Sequence, residues 1–382
     1  MLKLWLYNFS GIIPKNLNST VFGAWNGLKL SDNSMYLLDY IVSNNSNPKL
    51  KLYWVGESEL KNQVITRYNG KVKFLKKNSV YSLYILLSSK FIFTSNGMID
   101  FWRYNLYKNA ELVLLWHGFP VKKIGSDAGH FLPDRAPYTE HYKYYISNSN
   151  LMSERMTSAY NISKENGEQL IEFGQPRVDI LFDLSNIKTL RSKIFKELKI
   201  PDKAKLITYL PTFRDNSDKV FSFESLGQDF FNKLKEKNIY IIEKQHFVRS
   251  DKHSKKNLNV DGLILIDDEI DTQELLSVTD VLVTDYSSVY VDFMSLHRPI
   301  FHYIYDGDDY LKNDRGIYNE NFKNEIGGKV IFELTELKDS LLNLNELEDS
   351  KVREEHYEIM ANKQFENASE KILDYLNYPI IK

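Results

Sequence analysis

"STVFGAWNGLKLSDNSMYLLDYIVSNNSNPKLKLYWV" (residues 19–55) decides the fold. "STVFGAWNG" and "LKLYWV" are short apolar runs that read as strands. Between them "SDNSMYLLDYIVSNN" sets apolar residues near helical spacing after a Ser/Asp/Asn start, the pattern of a capped helix. Strand, helix, strand is the building block of a parallel sheet. The runs "KFIFTS", "ELVLLWHG" and "KYYISNSN" continue it, "NLMSERMTSAYNI" reads as a helix, and "QLIEFGQPRVDIL" adds another strand. After the charged helix "SNIKTLRSKIFKELKI" the alternation restarts: "KLITYLPTF", a helix near 224–236, "IYIIEKQH", "GLILID", the helix "TQELLSV", "VLVTDYSSV", the helix "YVDFMSL" and "PIFHYIY". Two successive α/β halves are therefore expected, meeting around residues 183–205, with the C-terminal "HYEIMANKQFENASEKILDYLNY" read as helical.

The chain has 382 residues, more than one hydrophobic core usually serves, which agrees with two domains. Hydrophobic residues make up 43% and aromatics 14%, a globular composition. With a formal net charge of −2 there is no global attraction to polyanions, so no nucleic-acid partner is expected. The absence of cysteine removes disulfides, thiolate metal sites and cysteine nucleophiles together, and suits a reducing cytoplasm. No secretory signal is read at the start, and no apolar segment has the ~18 residues a spanning helix needs. The longest candidate, "YSLYILLSSKFIFTS" (81–95), is broken by serines and Lys90 and reads as domain core.

In open parallel sheets, ligands sit outside the carboxyl ends of the strands. Five polar clusters fall there: His117 with Gly118, Lys122 and Lys123; Gly174 to Arg177; Thr212 to Asp215; His246; and Thr284 to Ser288. In "VLVTDYSSVYVDF" (281–293), Thr284 and Asp285 end a buried strand and Ser287 and Ser288 open a helix, an arrangement suited to cradling phosphate. Its plain alternative is ordinary N-capping. His117 and His246 each end a strand in a different half. An imidazole there is a structural hydrogen-bonding residue or a general base for an attacking alcohol; the second, with Arg214, can neutralise charge on phosphate oxygens. Arg214 reads equally as a salt-bridge partner of Asp215, and Lys122 and Lys123 as solvated loop residues or as attractors of an anionic substrate. No histidine spacing suggests a metal site, and HExxH, Walker, GxSxG and GxGxxG motifs are absent.

"LLWHGFPVKKIG", "FGQPRVDILF", "LPTFRD", the segment ending in His246, and "DVLVTDYSSVYVDF" followed by "RPIFHYIYDGDDYLKNDRGIY" resemble the ordered motifs of the CDP-glycerol glycerophosphotransferase family, the teichoic-acid and capsule primases and polymerases. "TVFGAWNGLKLSDNSMYLLDYI" is similar to the family's amino-terminal portion. The resemblance implies a GT-B-like α/β architecture: two Rossmann-like domains with parallel sheets facing a central cleft, the donor held mainly by the second. The expected division is an acceptor domain over 1–185, a nucleotide-donor domain over 186–354, and a C-terminal helix over 355–382 packing back across both.

By that resemblance His117 is the base and His246 the second active-site histidine, although this chain has "QHF" where many relatives have His-Pro. Asp285, Ser287 and Ser288 correspond to donor-phosphate or nucleotide contacts, and Arg214 and Arg315 to polar positions of the donor pocket. Gly118, Lys122 and Lys123 complete the expected substrate-binding set. The implied reaction moves glycerol phosphate from CDP-glycerol to a hydroxyl of a lipid-linked or capsule-linker saccharide, or of a growing polyol-phosphate chain, with release of CMP. No cofactor is required by the sequence, and no carboxylate cluster demands a divalent cation.

Little chain lies beyond the two halves, so a primase or transition-transferase mode is expected. The enzyme would work in the cytoplasm, peripheral at the inner face of the membrane, where "MLKLWLYNFSGIIPK" can lie in the interface or join the first core. The alternatives are a GT-B glycosyltransferase using a nucleotide sugar, a ribitol-phosphate transferase of the same family, and a noncatalytic saccharide-binding protein.

Overall fold

The computed structural model describes residues 2–102, 107–129, 142–212, 221–244, 260–266, 270–307, 316–318, 326–344, 350–362 and 366–380. The chain forms two compact units. The first comprises Met1–His117, Ile124–Asp179 and Asn362–Lys382; the second, Gly118–Lys123 and Ile180–Ala361. The division thus falls after Asp179, earlier than the 185/186 boundary read from the sequence, and the short strip after His117 groups with the second unit.

The first unit is built on seven strands: β1 (Asn16–Gly23), β2 (Lys51–Gly56), β3 (Val72–Lys76), β4 (Ser89–Thr94), β5 (Glu111–Leu114), β6 (Tyr144–Ser147) and β7 (Gln169–Glu172). Every pairing is parallel, in the order β3-β2-β1-β4-β5-β6-β7. Its helices are α1 (Leu2–Ser10), α2 (Asp32–Asn44), α3 (Lys61–Tyr68), α4 (Val80–Ser88) and α5 (Asn150–Tyr160). The central strands bury both faces, as strands covered by helices must: Val21, Phe22, Ile92, Phe93 and Val113 have no exposed surface. The stretch 81–95 is α4 passing directly into β4; β4 and Ile85 and Leu86 of α4 are core, whereas Tyr81 and Tyr84 are exposed. Sequence periodicity missed β3, because this edge strand buries only Val72 and Leu75 well and turns its lysines outward.

The second unit contains α6 (Leu184–Glu197), β8 (Lys205–Leu210), α7 (Gln228–Glu236), β9 (Ile239–Lys244), β10 (Leu263–Ile266), α8 (Thr272–Val278), β11 (Val281–Thr284), α9 (Val289–Met294), β12 (Ile300–Tyr303), β13 (Lys329–Ile331), α10 (Leu334–Leu342) and α11 (Ser350–Met360). Its six strands are again all parallel, ordered β10-β9-β8-β11-β12-β13. Phe230, Phe231 and Leu234 of α7 pack with Leu337 and Leu341 of α10 over Ile207, Val283 and Phe301 of the sheet.

The stretch expected as one C-terminal helix is two. α11 ends at Met360 within the second unit, and α12 (Ala368–Tyr375) belongs to the first. Asn367, just before α12, takes a left-handed φ of 67°, which no continuous helix admits. The Asp179 carboxylate caps α12, accepting from the backbone N–H of Ala368 at 2.8 Å and of Ser369 at 2.9 Å.

Candidate active site

Both sheets reverse strand order at one point, between β1 and β4 in the first unit and between β8 and β11 in the second. Of the described strand-end residues singled out in the sequence, His117 follows β5, beside β4, and Thr212 and Thr284 to Ser288 follow β8 and β11, where this fold places ligands, while Gly174 to Arg177 follow the edge strand β7.

In the first unit the chain leaves β5 through Leu115 and Trp116 to His117. Trp116 has φ 65°, a left-handed value that is costly for a bulky side chain and needs outside support. Asn33, at the start of α2 and fully buried, supplies it: Nδ2 donates to the carbonyls of Leu115 (3.2 Å) and Trp116 (2.8 Å). The Asn33 Oδ1 in turn accepts from the backbone N–H of Arg177 at 3.0 Å. Arg177 Nη1 then donates to the carbonyl of His117 at 2.8 Å and to Asp32 Oδ1 at 3.0 Å, a buried ion pair. The backbone that carries His117 is thereby held by side chains from two other loops.

The imidazole is half-buried, with the Trp116 ring centroid 4.3 Å and the Trp25 ring centroid 6.4 Å from its own. Its Nδ1 lies 3.0 Å from the Ser95 carbonyl oxygen. A carbonyl only accepts, so Nδ1 carries the proton and Nε2 the lone pair. Burial, aided by the Arg177 charge, holds the ring below its ordinary pKa of 6.5, against the opposing pull of Asp32, the Ser95 hydrogen bond and Asp100. At neutral pH this is an unprotonated base of fixed tautomer.

The Asp100 carboxylate, with no exposed surface, fastens the surrounding loops. It accepts from Asn26 N (2.7 Å), Asn96 N (3.0 Å) and the Thr94 hydroxyl. Gly118, next along the chain, has φ 148°, where a side chain would be strained. Beyond it Lys122 forms an antiparallel bridge with Ile317, and Lys123 N donates to Gly316 O at 3.0 Å. The two lysines are thus laid along the residues that directly follow Arg315. Arg315 itself, Arg214 and His246 lie outside the described residues.

In the second unit Asp285 is fully buried. Its Oδ1 accepts from both Thr212 N (2.8 Å) and Thr212 Oγ1 (2.6 Å), joining the loop after β8 to the turn after β11. Tyr286 OH donates to Gly307 O at 2.5 Å. Ser287 and Ser288 are half-buried at the opening of α9, and Ser288 makes no side-chain capping bond, so helix capping does not account for its hydroxyl. α9 has only six residues, so hydroxyls rather than a helix dipole are what this turn offers an anion. Among the described residues no group of three or more His, Asp or Glu side chains could hold a metal ion.

Asp32, Asn33 and Ser95 were not singled out by sequence reasoning as site residues, whereas Thr212 was, as the start of a strand-end cluster. "SDN" was read as a helix start, which it is, but its side chains also brace the WHG turn. Arg177 did carry a signal, as the end of a strand-end cluster and part of "FGQPRVDILF".

Among curated relatives, the chain is 28% identical over 338 residues to the teichoic acid poly(glycerol phosphate) polymerase of Bacillus spizizenii, covering 82% of this chain and 80% of that one. It is also 28% identical over 355 residues to the teichoic acid glycerol-phosphate transferase of Staphylococcus aureus, covering 87% and 85%. The solved wall teichoic acid polymerase TagF superposes with a TM-score of 0.79 at 24% identity, over 98% of this chain and 92% of that one, a likeness of fold. The profile of the CDP-glycerol:poly(glycerophosphate) glycerophosphotransferase family matches residues 5–378, and the chain belongs to that family of transferases.

Proposed function

We propose that this protein transfers glycerol phosphate from CDP-glycerol to a hydroxyl of a membrane-linked saccharide or growing polyol-phosphate chain in teichoic acid or capsule synthesis, with His117 as the general base. The observation that carries this is the Nδ1 contact to the Ser95 carbonyl, which leaves Nε2 unprotonated on a rigid strand end. In the reaction the acceptor hydroxyl gives its proton to Nε2 as its oxygen attacks the glycerol-bearing phosphorus. The bond from that phosphorus to the bridging oxygen breaks, and CMP leaves with the electron pair. Ser287 and Ser288 hold the donor phosphates, and the turn is fixed by the grip of Asp285 on Thr212. Lys122 and Lys123, with Arg315, Arg214 and His246, supply the positive charge that offsets the phosphates.

The shared motif set supports this reading over nucleotide-sugar transfer. Chain length does not separate single addition from polymerisation, because the Bacillus spizizenii relative matched over 80% of its length is named a polymerase. The membrane attachment we assign rests on the exposed rings of Trp5 (61% exposed) and Phe9 (46%), stacked at 5.4 Å on α1, and on exposed Ile12 just beyond. Among the described residues no helix is long and apolar enough to cross a membrane.

Mass spectrometry of purified protein with CDP-glycerol, CDP-ribitol and a synthetic lipid-linked saccharide tests the proposal. Products heavier by one glycerol phosphate, or by a ladder of them, with CMP released, are expected. Ribitol-phosphate products alone would assign the other polyol, and a glycosidic product from a nucleotide sugar would overturn the reading.

A further inference from the structure

His302 lies on β12, the strand next to the edge strand β13 of the second sheet, with no exposed surface, and the other residues of that strand, Ile300, Phe301 and Tyr303, are apolar or aromatic. It pairs in register with Thr284, the residue before Asp285, and on its other side with Val330. Its Nδ1 is 3.0 Å from the Asp285 carbonyl oxygen and its Nε2 is 3.2 Å from the Gly327 carbonyl oxygen. The Tyr290 ring of α9 meets it edge-on at 4.8 Å. Gly327 leaves no room for a side chain, since a Cβ there would stand 3.0 Å from Met294 Sδ.

A polar ring in such a place costs stability unless its hydrogen bonds are made. Burial keeps the imidazole below its ordinary pKa; the bonds to Asp285 O and Gly327 O and the Asp285 charge oppose that, and His356 adds to it. A neutral ring has one N–H for two carbonyls, and the contact to Asp285 is the shorter of the two. Asp285 is then held from both ends: its carboxylate by Thr212, its carbonyl by His302.

We propose that His302 is a positioning residue for the donor, its Nδ1–H anchoring the Asp285 carbonyl so that Ser287 and Ser288 present their hydroxyls to the donor phosphates. This rests on the donor role given above to those serines.

Two substitutions separate the ring's two contacts. His302→Asn keeps an N–H near the place of Nδ1 and loses the reach to Gly327; His302→Gln reaches toward Gly327 and abandons Asp285. The Asn variant is expected to keep the KM for CDP-glycerol within about twofold, and the Gln variant to raise it about tenfold with kcat little changed, the size of one net hydrogen bond lost from donor binding. Equal KM values in the two variants, or the reverse order, would overturn the proposal. Both variants shrink the same buried ring, so a purely structural role would lower the melting temperature without splitting their KM values.

Should either fail to fold, nitrogen-15 NMR of the intact wild-type protein decides. The slowly exchanging buried histidine is expected as the Nδ1–H tautomer, with its signal shifted by CDP-glycerol. An Nε2–H tautomer, or no response to the donor, would sink the assignment. Ser287→Ala with Ser288→Ala serves as the reference. If that pair leaves the donor KM unchanged, the donor role of the turn fails whatever His302 does.

Discussion

Replacing Asn33 with Ala tests whether the WHG turn is held from outside. The side chain is fully buried and makes three hydrogen bonds, to Leu115 O, Trp116 O and Arg177 N. Truncation leaves those three backbone groups without their partner in a space that, once emptied, admits at most a water. At about 1–3 kcal/mol for each group left unsatisfied, with partial rescue by water, a loss of about 3–5 kcal/mol in unfolding free energy is expected. The same bonds hold Trp116 at φ 65°, so the turn relaxes toward ordinary backbone and carries His117 with it. A displacement of the base by about 1 Å is worth on the order of a hundredfold in rate. Urea unfolding gives the first quantity; CMP release at saturating CDP-glycerol gives the second. Asn33→Asp is the sharper comparison, because it keeps the acceptor toward Arg177 N and removes both donors. An Asn33→Ala enzyme that folds and turns over at the wild-type rate would refute the reasoning, because the position of His117 would then owe nothing to this lock.

His117→Ala should lower kcat by about 10²–10⁴-fold with little change in the KM for CDP-glycerol, measured by steady-state CMP release. The acid limb of kcat/KM should fall below pH 6.5, because burial lowers the His117 pKa, and Asp32→Asn should move it lower still by removing an attraction that raises that pKa. Since His117 and His302 both have folded pKa values below 6.5, the unfolded chain binds more protons, and their contribution to stability is lost as pH drops from 6.5 toward those values. Chemical unfolding from pH 7.5 to 5.5 reads this, and the double variant lacking both rings should show a flatter profile. Asp179 has the opposite sign: burial raises its pKa to about 6, so its contribution is full at low pH and declines as pH rises through 6. Hydrogen-exchange protection of α12, corrected for intrinsic rates, should therefore rise from pH 7 to 5 in the wild type and not in Asp179→Asn. Trp5→Ser with Phe9→Ser should abolish cosedimentation with anionic lipid vesicles while leaving activity on a water-soluble acceptor intact.

The α/β alternation and the strand ends were legible because buried parallel strands are near-continuous apolar runs and their polar exits stand out against them. β3 was not, since an edge strand with three exposed lysine neighbours lacks that contrast. His117 could be picked out as a residue, but what makes it a base could not. Its tautomer depends on the Ser95 carbonyl, 22 residues earlier in the chain, and its carrier turn on Asn33 and Arg177, 84 residues before it and 60 after. Local patterns report which face of an element is buried; they carry nothing about which distant loop meets it. Asn33 was hidden by its second role, because a Ser-Asp-Asn run at a helix start is fully explained by capping until the fold brings Trp116 to it.

The two units solve the same local problem with the same device. Where strand order reverses, two adjacent parallel strands send their following loops apart, and the backbone there loses its ladder partners. In the first unit the Asp100 carboxylate, beyond β4, accepts from Asn26 N in the loop beyond β1. In the second unit the Asp285 carboxylate, beyond β11, accepts from Thr212 N in the loop beyond β8. Both residues have no exposed surface, and each carboxylate is already engaged by these donors. A buried carboxylate is costly unless its lone pairs are met by donors, and each of these is met by backbone N–H and hydroxyl groups from the loops that must be held. Asp100 and Asp285 are therefore fasteners of the loops, which is why the proposed proton transfer is assigned to the imidazole of His117 and not to either carboxylate.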